Sequence, residues 1–207
     1  INWGRIVAQI VYYFTAAVSL GAPYRPVSFT VPTGNFGDIF AGYCAKRMGL
    51  PIEKLVIATN SNDILRRTMD TGRYEMQGVA PTISPSMDIQ ISSNFERLLF
   101  ESAGRDADAV GRMMAALKQS RGFDLPEKSI TAIRNEFAAG TTNEAATSET
   151  IAQTWAKSSY LLDPHTAVGI SVARSLAGST TPMITLATAH PAKFPAAVKA
   201  ASGIEPP

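Results

Sequence analysis

Three runs of strand length stand out against a background of helical periodicity. Val27-Ser28-Phe29-Thr30-Val31 alternates apolar and polar positions, Lys54-Leu55-Val56-Ile57-Ala58-Thr59 is nearly continuous in apolar residues, and Pro182-Met183-Ile184-Thr185-Leu186-Ala187-Thr188 is a third such run. Short apolar runs of this kind suit strands of a parallel sheet covered on both faces. Between and around them, spacing and punctuation predict helices. Residues 3–20 follow a capping Asn2 and stop at Gly21 and Pro23, and with Ile6, Val7, Ile10, Val11, Tyr12, Tyr13 and Phe14 apolar on nearly every side, this helix is expected to be packed on both faces. Residues 39–48 are amphipathic and end at Gly49, with Pro51 beyond.

Further along, Asn60 to Asp63 can cap a helix running through Met69, and residues 72–90 lapse into glycine, proline and serine, a loop that can lie over a site. Ser92-Ser93-Asn94 precedes a helix over 95–102, residues 106–120 form another with Val110, Met113, Met114 and Leu117 on one side, and Pro126 opens one that runs to about Ala139 and is ended by Gly140. A helix begins at Ser148, the next is capped by Asp163 with Pro164 in its first turn, and a last one reaches about Ala201. Two strand, loop and helix units in succession imply right-handed crossovers and an α/β fold with a doubly wound sheet, whose ligands bind outside the carboxyl ends of the strands. No internal repeat or linker divides the 207 residues, so one dominant domain is expected over residues 1–207, with helical additions near 92–160.

The stretch of greatest chemical interest joins the first strand to its helix: Val31-Pro32-Thr33-Gly34-Asn35-Phe36-Gly37-Asp38. A strand, a glycine turn and a helix start present free backbone N–H groups at a strand's carboxyl end, which makes an anion site. Gly34 and Gly37 can take positive φ and leave room for a phosphate to approach the backbone, and Asp38 or Asn35 can cap the helix. The same sequence of elements also occurs as plain structure in α/β proteins. Two more features converge on this loop if the three strands share a sheet: Thr188 past the end of the third strand, and Arg5 at the head of the first helix. A cation at a helix N-terminus opposes the macrodipole, so Arg5 is either an anion contact or a solvated side chain with its stem on Trp3.

Composition narrows the chemistry further. A formal charge of +2, from 19 basic and 17 acidic residues without long blocks, gives no case for a nucleic-acid partner, and no apolar run is long enough for a membrane span. Lone Cys44 excludes an internal disulfide framework and suits a reducing compartment such as the cytoplasm. His165 and His190 make no zinc pattern with one cysteine and lie in no nucleophile elbow; either can be a packed or capping side chain, and His190 alternatively an acid–base group. No G-x-x-x-x-G-K-[ST] sequence is present to suggest a nucleoside triphosphate. The first residue is Ile1, with no methionine before it, as expected of a piece of a longer polypeptide.

Six motifs in register then resemble one family. Ile1-Asn2-Trp3-Gly4-Arg5-Ile6, Pro32 to Asp38, Ser84-Pro85-Ser86-Met87-Asp88-Ile89, Ser93-Asn94-Phe95-Glu96-Arg97-Leu98, Asp163-Pro164-His165-Thr166-Ala167-Val168-Gly169 and Ala187-Thr188-Ala189-His190-Pro191-Ala192-Lys193-Phe194 resemble the threonine synthases of fungi and many Gram-negative bacteria. The resemblance implies an incomplete three-layer, doubly wound sheet of the fold-type II pyridoxal-phosphate enzymes, similar to the tryptophan synthase β chain. It also implies pyridoxal 5′-phosphate as cofactor, O-phospho-L-homoserine as substrate, and L-threonine and phosphate as products. By the same resemblance Gly34, Asn35, Phe36 and Gly37 cradle the cofactor phosphate, Thr188 faces the pyridine nitrogen, and Arg5 with Asn2 meets the substrate phosphate. The family's Schiff-base lysine lies in a Phe-Lys-Asp motif upstream of the position matching Ile1, and no lysine here has that setting. The N-terminal remainder of the same enzyme is thus the implied partner, and the piece alone is expected to be inactive. Two alternatives stand beside this: a non-catalytic module that binds an anion or the cofactor phosphate, and another enzyme of the fold such as a serine or threonine dehydratase.

Overall fold

The computed structural model describes residues 2–176, 178 and 180–207, so Ile1 of the first motif lies outside the described residues. Its centre is a four-stranded parallel sheet. Strand β1 (Val27–Pro32) pairs with β2 (Ile52–Thr59) on one side, from Val27 against Ile52 to Pro32 against Ala58. On its other side it pairs with β6 (Met183–Thr185), and β5 (Phe137–Thr141) pairs with β2, giving the order β5-β2-β1-β6. Successive strands step outward from β1 to β2 to β5, and β6 returns to the opposite side of β1. The order therefore reverses between β1 and β6, which is where an open α/β sheet leaves a crevice at its carboxyl edge.

The alternation of side chains along a strand assigns each residue of β2 to a face. Leu55 and Ile57 are buried with Ile39, Phe40 and Ala41 of helix α2 (Gly37–Arg47) and with Ile6, Tyr13 and Ala17 of helix α1 (Trp3–Ser19). Val56 and Ala58 point the other way, into a smaller cluster with Met87 and with Val168 and Val172 of helix α8 (Pro164–Ser175). Helices on both faces of a parallel sheet make the three-layer α/β arrangement the sequence predicts. Tyr13 ties α1 to α2: its hydroxyl donates to the Asp38 carbonyl at 2.8 Å, and its ring lies where a Cβ on Gly42 would be 2.5 Å from Cε1.

Helix α3 (Ile64–Thr71), α4 (Phe95–Ser102), α5 (Ala107–Ser120) and α6 (Glu127–Glu136) follow the predicted order, and a short antiparallel pair, β3 (Arg73–Glu75) with β4 (Gly122–Asp124), lies among them. The sequence reading missed this pair because three residues are too few to show a period. Helix α7 (Glu144–Ser158) starts four residues earlier than expected: Asn143 accepts from the Ala146 N–H at 2.9 Å and is the cap, not Ser148. Helix α9 (Pro195–Ser202) ends the chain's regular structure.

Two corrections carry physical content. The expected helix over 126–139 stops at Glu136, and Phe137-Ala138-Ala139-Gly140-Thr141 is strand β5, in register with Leu55 to Thr59. Alanine favours helix locally, but pairing on β2 decides; Gly140 is required there, since a Cβ would sit 2.6 Å from Val172 Cγ1. Helix α1, expected to be covered on both faces, buries only Ile6, Tyr13 and Ala17, while Val7, Val11, Tyr12 and Val18 are more than half exposed. One face lies on α2; among the described residues nothing covers the other.

Candidate active site

Beyond the carboxyl ends of β1 and β6 lies a cavity of about 570 Å³, lined on one side by Thr33 to Ile39 and on the other by Leu186 to Ala189. Arg5, Gln9 and Tyr12 of α1 close one end, and Ser86, Met87, Asn94 and His165 complete the wall. The structure thus brings Arg5, Gly34, Asn35, Phe36, Gly37 and Thr188 to one cavity. Asn2 is not among its lining residues: its side-chain oxygen accepts from the Arg5 N–H at 3.2 Å and caps α1 beside the rim.

The loop that opens α2 is built differently from the sequence expectation. Neither Gly34 nor Gly37 has positive φ; the left-handed residue is Phe36, at φ 64°, and it also occupies the N-cap position. A non-glycine residue there costs about a kcal/mol or more and needs its surroundings to hold it. Phe36 is held by its ring, buried at 5.3 Å from Phe95 and 5.8 Å from Phe137. Gly34 is instead required for space. A Cβ there would lie 2.6 Å from the Ser86 carbonyl oxygen.

Neither Asp38 nor Asn35 caps α2, because no side chain accepts from its first turn. Asp38 sits inside that turn, and the Asn35 carbonyl is engaged by both the backbone N–H and the side-chain amide of Asn94, at 3.0 and 2.9 Å. The helix N-terminus therefore faces the cavity with its N–H groups open, the arrangement that binds anions. A phosphate fits the residues present: an uncapped first turn, Gly34 where a Cβ would strike the Ser86 carbonyl, and Arg5 across the space.

Asp38 is the exception to this positive setting. Its Oδ1 has no hydrogen-bond partner, and burial pushes its carboxyl up to about 6, the neighbouring Tyr13 hydroxyl pulling slightly the other way. A group of that kind can give up or take a proton near neutral pH.

The loop over 76–94 is ordered by buried polar side chains that the sequence reading passed over. Asn60 and Asn62, just past β2, both donate to Asp88 Oδ1, at 2.8 and 2.9 Å, and Asp88 Oδ2 accepts from the Thr82 N–H at 2.8 Å. Ser92 Oγ donates to the Gly34 carbonyl at 2.7 Å. His165, 3 % exposed, accepts the Ser86 N–H at Nε2 and packs on Phe194 at 4.7 Å. His190 is exposed, and its Nδ1 accepts from the Ala192 N–H, a local cap. The cues for this network were present as Asn, Asp and Ser at loop positions, but those residues read equally as turn formers. Cys44 is half-buried, and desolvation raises its thiol. No lysine is among the described residues lining the cavity, and no group of metal-ligating side chains occurs among the described residues.

The chain is similar in sequence and in fold to known threonine synthases. A family model described as threonine synthase, C-terminal, matches residues 166–207. Threonine synthase of Pseudomonas aeruginosa is 54% identical over 202 residues, covering 97% of this chain and 43% of that protein. Among solved structures, PLP-bound threonine synthase from Brucella melitensis superposes with a TM-score of 0.97 at 68% identity, over 100% of this chain and 44% of that one. Yeast threonine synthase superposes with a TM-score of 0.92 at 44% identity, over 97% and 43% respectively. The chain spans less than half the length of the relatives it matches.

Proposed function

Since this chain belongs to the threonine synthase family, we propose that the polypeptide of which it is a part converts O-phospho-L-homoserine and water to L-threonine and phosphate, with pyridoxal 5′-phosphate as cofactor. The observation that supports this most is the open N-terminus of α2: a row of free N–H groups shaped by Gly34 and Gly37, facing a cavity with Thr188 on its far side. Backbone N–H groups of Gly34, Asn35, Phe36 and Gly37 would hold the cofactor phosphate, with the positive end of the helix dipole behind them. Thr188 would offer its hydroxyl to the pyridine nitrogen; a hydroxyl, unlike a carboxylate, does not hold a proton on that nitrogen. The cofactor, when bound, supplies an electron sink for charge that develops on substrate carbons.

Arg5 would meet the substrate phosphate. Its charge is available for this because its backbone, not its guanidinium, is what Asn2 engages, and Asn2 retains an amide N–H₂ for a second contact. The leaving group is a phosphate dianion, so a fixed cation at that rim stabilises charge as it departs. We place the lysine that attaches the cofactor in the part of the polypeptide outside these residues, in line with a cavity wall that contains none among the described residues. The same reasoning makes the 207-residue piece inactive alone, and a visible absorption band formed on adding pyridoxal phosphate to it would contradict this. We assign the enzyme to the cytoplasm because these 207 residues carry a single, half-buried cysteine; no helix of the described residues is long and apolar enough to cross a membrane.

Assay of the full-length protein with O-phospho-L-homoserine and, separately, L-threonine tests the reading. Threonine and phosphate are expected from the first. Turnover of L-threonine alone would make the protein a dehydratase of the same fold.

A further inference from the structure

Asp163 does not itself line the cavity, but it stands at the centre of a buried polar cluster that reaches both of its walls. It is 2 % exposed and begins helix α8, accepting the His165 N–H at 2.9 Å and the Thr166 N–H at 3.2 Å on Oδ1. Those two bonds are an ordinary cap. Two more are not. His165 Nδ1 lies 3.2 Å from Oδ1, and the Thr166 hydroxyl donates to Oδ2 in a short bond.

Each partner then reaches a different wall. His165 Nε2 accepts the Ser86 N–H at 3.1 Å, and because an amide N–H can only donate, Nε2 is unprotonated and the ring proton sits on Nδ1, aimed at Asp163. The Ser86 held in this way is the residue whose carbonyl abuts Gly34. On the other arm, Thr166 Oγ1 accepts the Thr188 N–H at 3.3 Å. Burial alone would raise the Asp163 carboxyl, but the hydrogen bonds from His165 and Thr166 outweigh it and hold it below the usual carboxylate range, in keeping with an ionised centre.

We propose that Asp163 is a positioning residue that sets the spacing of the two cavity walls through separate arms, His165 to the Gly34 and Ser86 wall and Thr166 to the Thr188 wall. The proposal rests on the reading of the cavity as a pyridoxal-phosphate site, in which these walls hold opposite ends of one rigid molecule. The two arms make it testable, since each can be cut alone. In Thr166→Val the Thr188 wall loses its anchor; in His165→Phe the Ser86 wall does. Thr166→Ser and His165→Gln, which keep a hydroxyl and an acceptor, restore them.

The experiment uses the full-length protein. Hydrogen exchange, read by mass spectrometry in peptides covering 84–88 and 186–190, is expected to quicken roughly five- to tenfold in the first peptide for His165→Phe and in the second for Thr166→Val, the scale of one lost hydrogen bond. In the pyridoxal-phosphate form, His165→Phe is expected to move the cofactor's phosphorus resonance and leave its visible absorption maximum in place, and Thr166→Val to do the reverse. Asp163→Asn, which turns an acceptor into a donor toward Thr166, should follow Thr166→Val. Exchange that quickens in both peptides for either variant, or in neither, would overturn the proposal. If His165→Phe does not fold, Thr166→Val against wild type still reads one arm, with exchange expected to quicken over 186–190 and not over 84–88. A wild-type protein that takes up no pyridoxal phosphate overturns the functional reading instead, and the exchange pattern still decides between two arms and none.

Discussion

A methyl group on Gly34 is the smallest change that tests how the anion loop is built. A Cβ at this position lies 2.6 Å from the Ser86 carbonyl oxygen and 3.5 Å from Met87 Cα, both backbone atoms. To reach even 3.0 Å, the wall must retreat by about 0.4 Å, a shift of the size that overpacking imposes on close-packed interiors. It has little room to do so, because the Ser86 N–H is fixed on His165 and Asp88 is fixed on Asn60 and Asn62. Gly34 does not have positive φ, so alanine brings no backbone strain and the effect is purely steric. Overpacking of this kind costs about 1–3 kcal/mol. If the loop yields and the wall does not, the same energy appears as weaker phosphate binding, about 5- to 150-fold at 1.4 kcal/mol per factor of ten. Fluorescence titration of full-length apo-protein with pyridoxal phosphate, alongside thermal melting, measures both routes. An affinity within twofold of wild type together with an unchanged melting temperature would refute the steric account.

Other substitutions follow from the same packing. Gly111→Ala in α5, where a Cβ meets nothing within 4 Å, is expected to raise stability by about 0.5–1 kcal/mol; Gly42→Ala in α2, where a Cβ falls 2.5 Å from Tyr13 Cε1, is expected to lower it by about 1–3 kcal/mol, both read by denaturant titration. Asp38, with its carboxyl pushed up to about 6, contributes stability that is complete below the ordinary value of 3.8 and is lost as pH rises through 6. Asp38→Asn should therefore be more stable than wild type by about 1–3 kcal/mol at pH 8 and converge with it below pH 4. Asp163 has the opposite sign: held low, it contributes above the usual carboxylate range and loses that contribution as pH falls through its folded value. The deficit of Asp163→Asn should accordingly shrink on acidification.

Strands β1 and β2, and helices α4 and α5, were legible because each shows its period over enough residues and is closed by a recognisable cap or stop. Strand β5 was not: Phe137 to Thr141 has the composition of a helix end, and only its pairing with β2 makes it a strand. The site was legible by position and not by mechanism. Strand, glycine turn and helix fall where the sequence placed them, and Arg5 and Thr188 line the same cavity as that loop. That the glycines provide space while Phe36 takes the left-handed turn depends on Phe95 and Phe137, about 60 and 100 residues away in sequence. Asn94 read as a helix cap, but its side chain turns back onto the Asn35 carbonyl. Asp163 was seen as a cap, as it is, yet its second oxygen and the histidine beside it link loops that only the fold brings together.

The claim at the centre of this account is that the open N-terminus of α2 takes the phosphate of pyridoxal phosphate. A crystal structure of the full-length protein with the cofactor bound measures this directly. The account predicts phosphate oxygens within hydrogen-bond distance of the backbone N–H groups of Gly34 to Gly37 and the pyridine nitrogen facing the Thr188 hydroxyl; a phosphate held elsewhere, with the Gly34 loop empty, would contradict it.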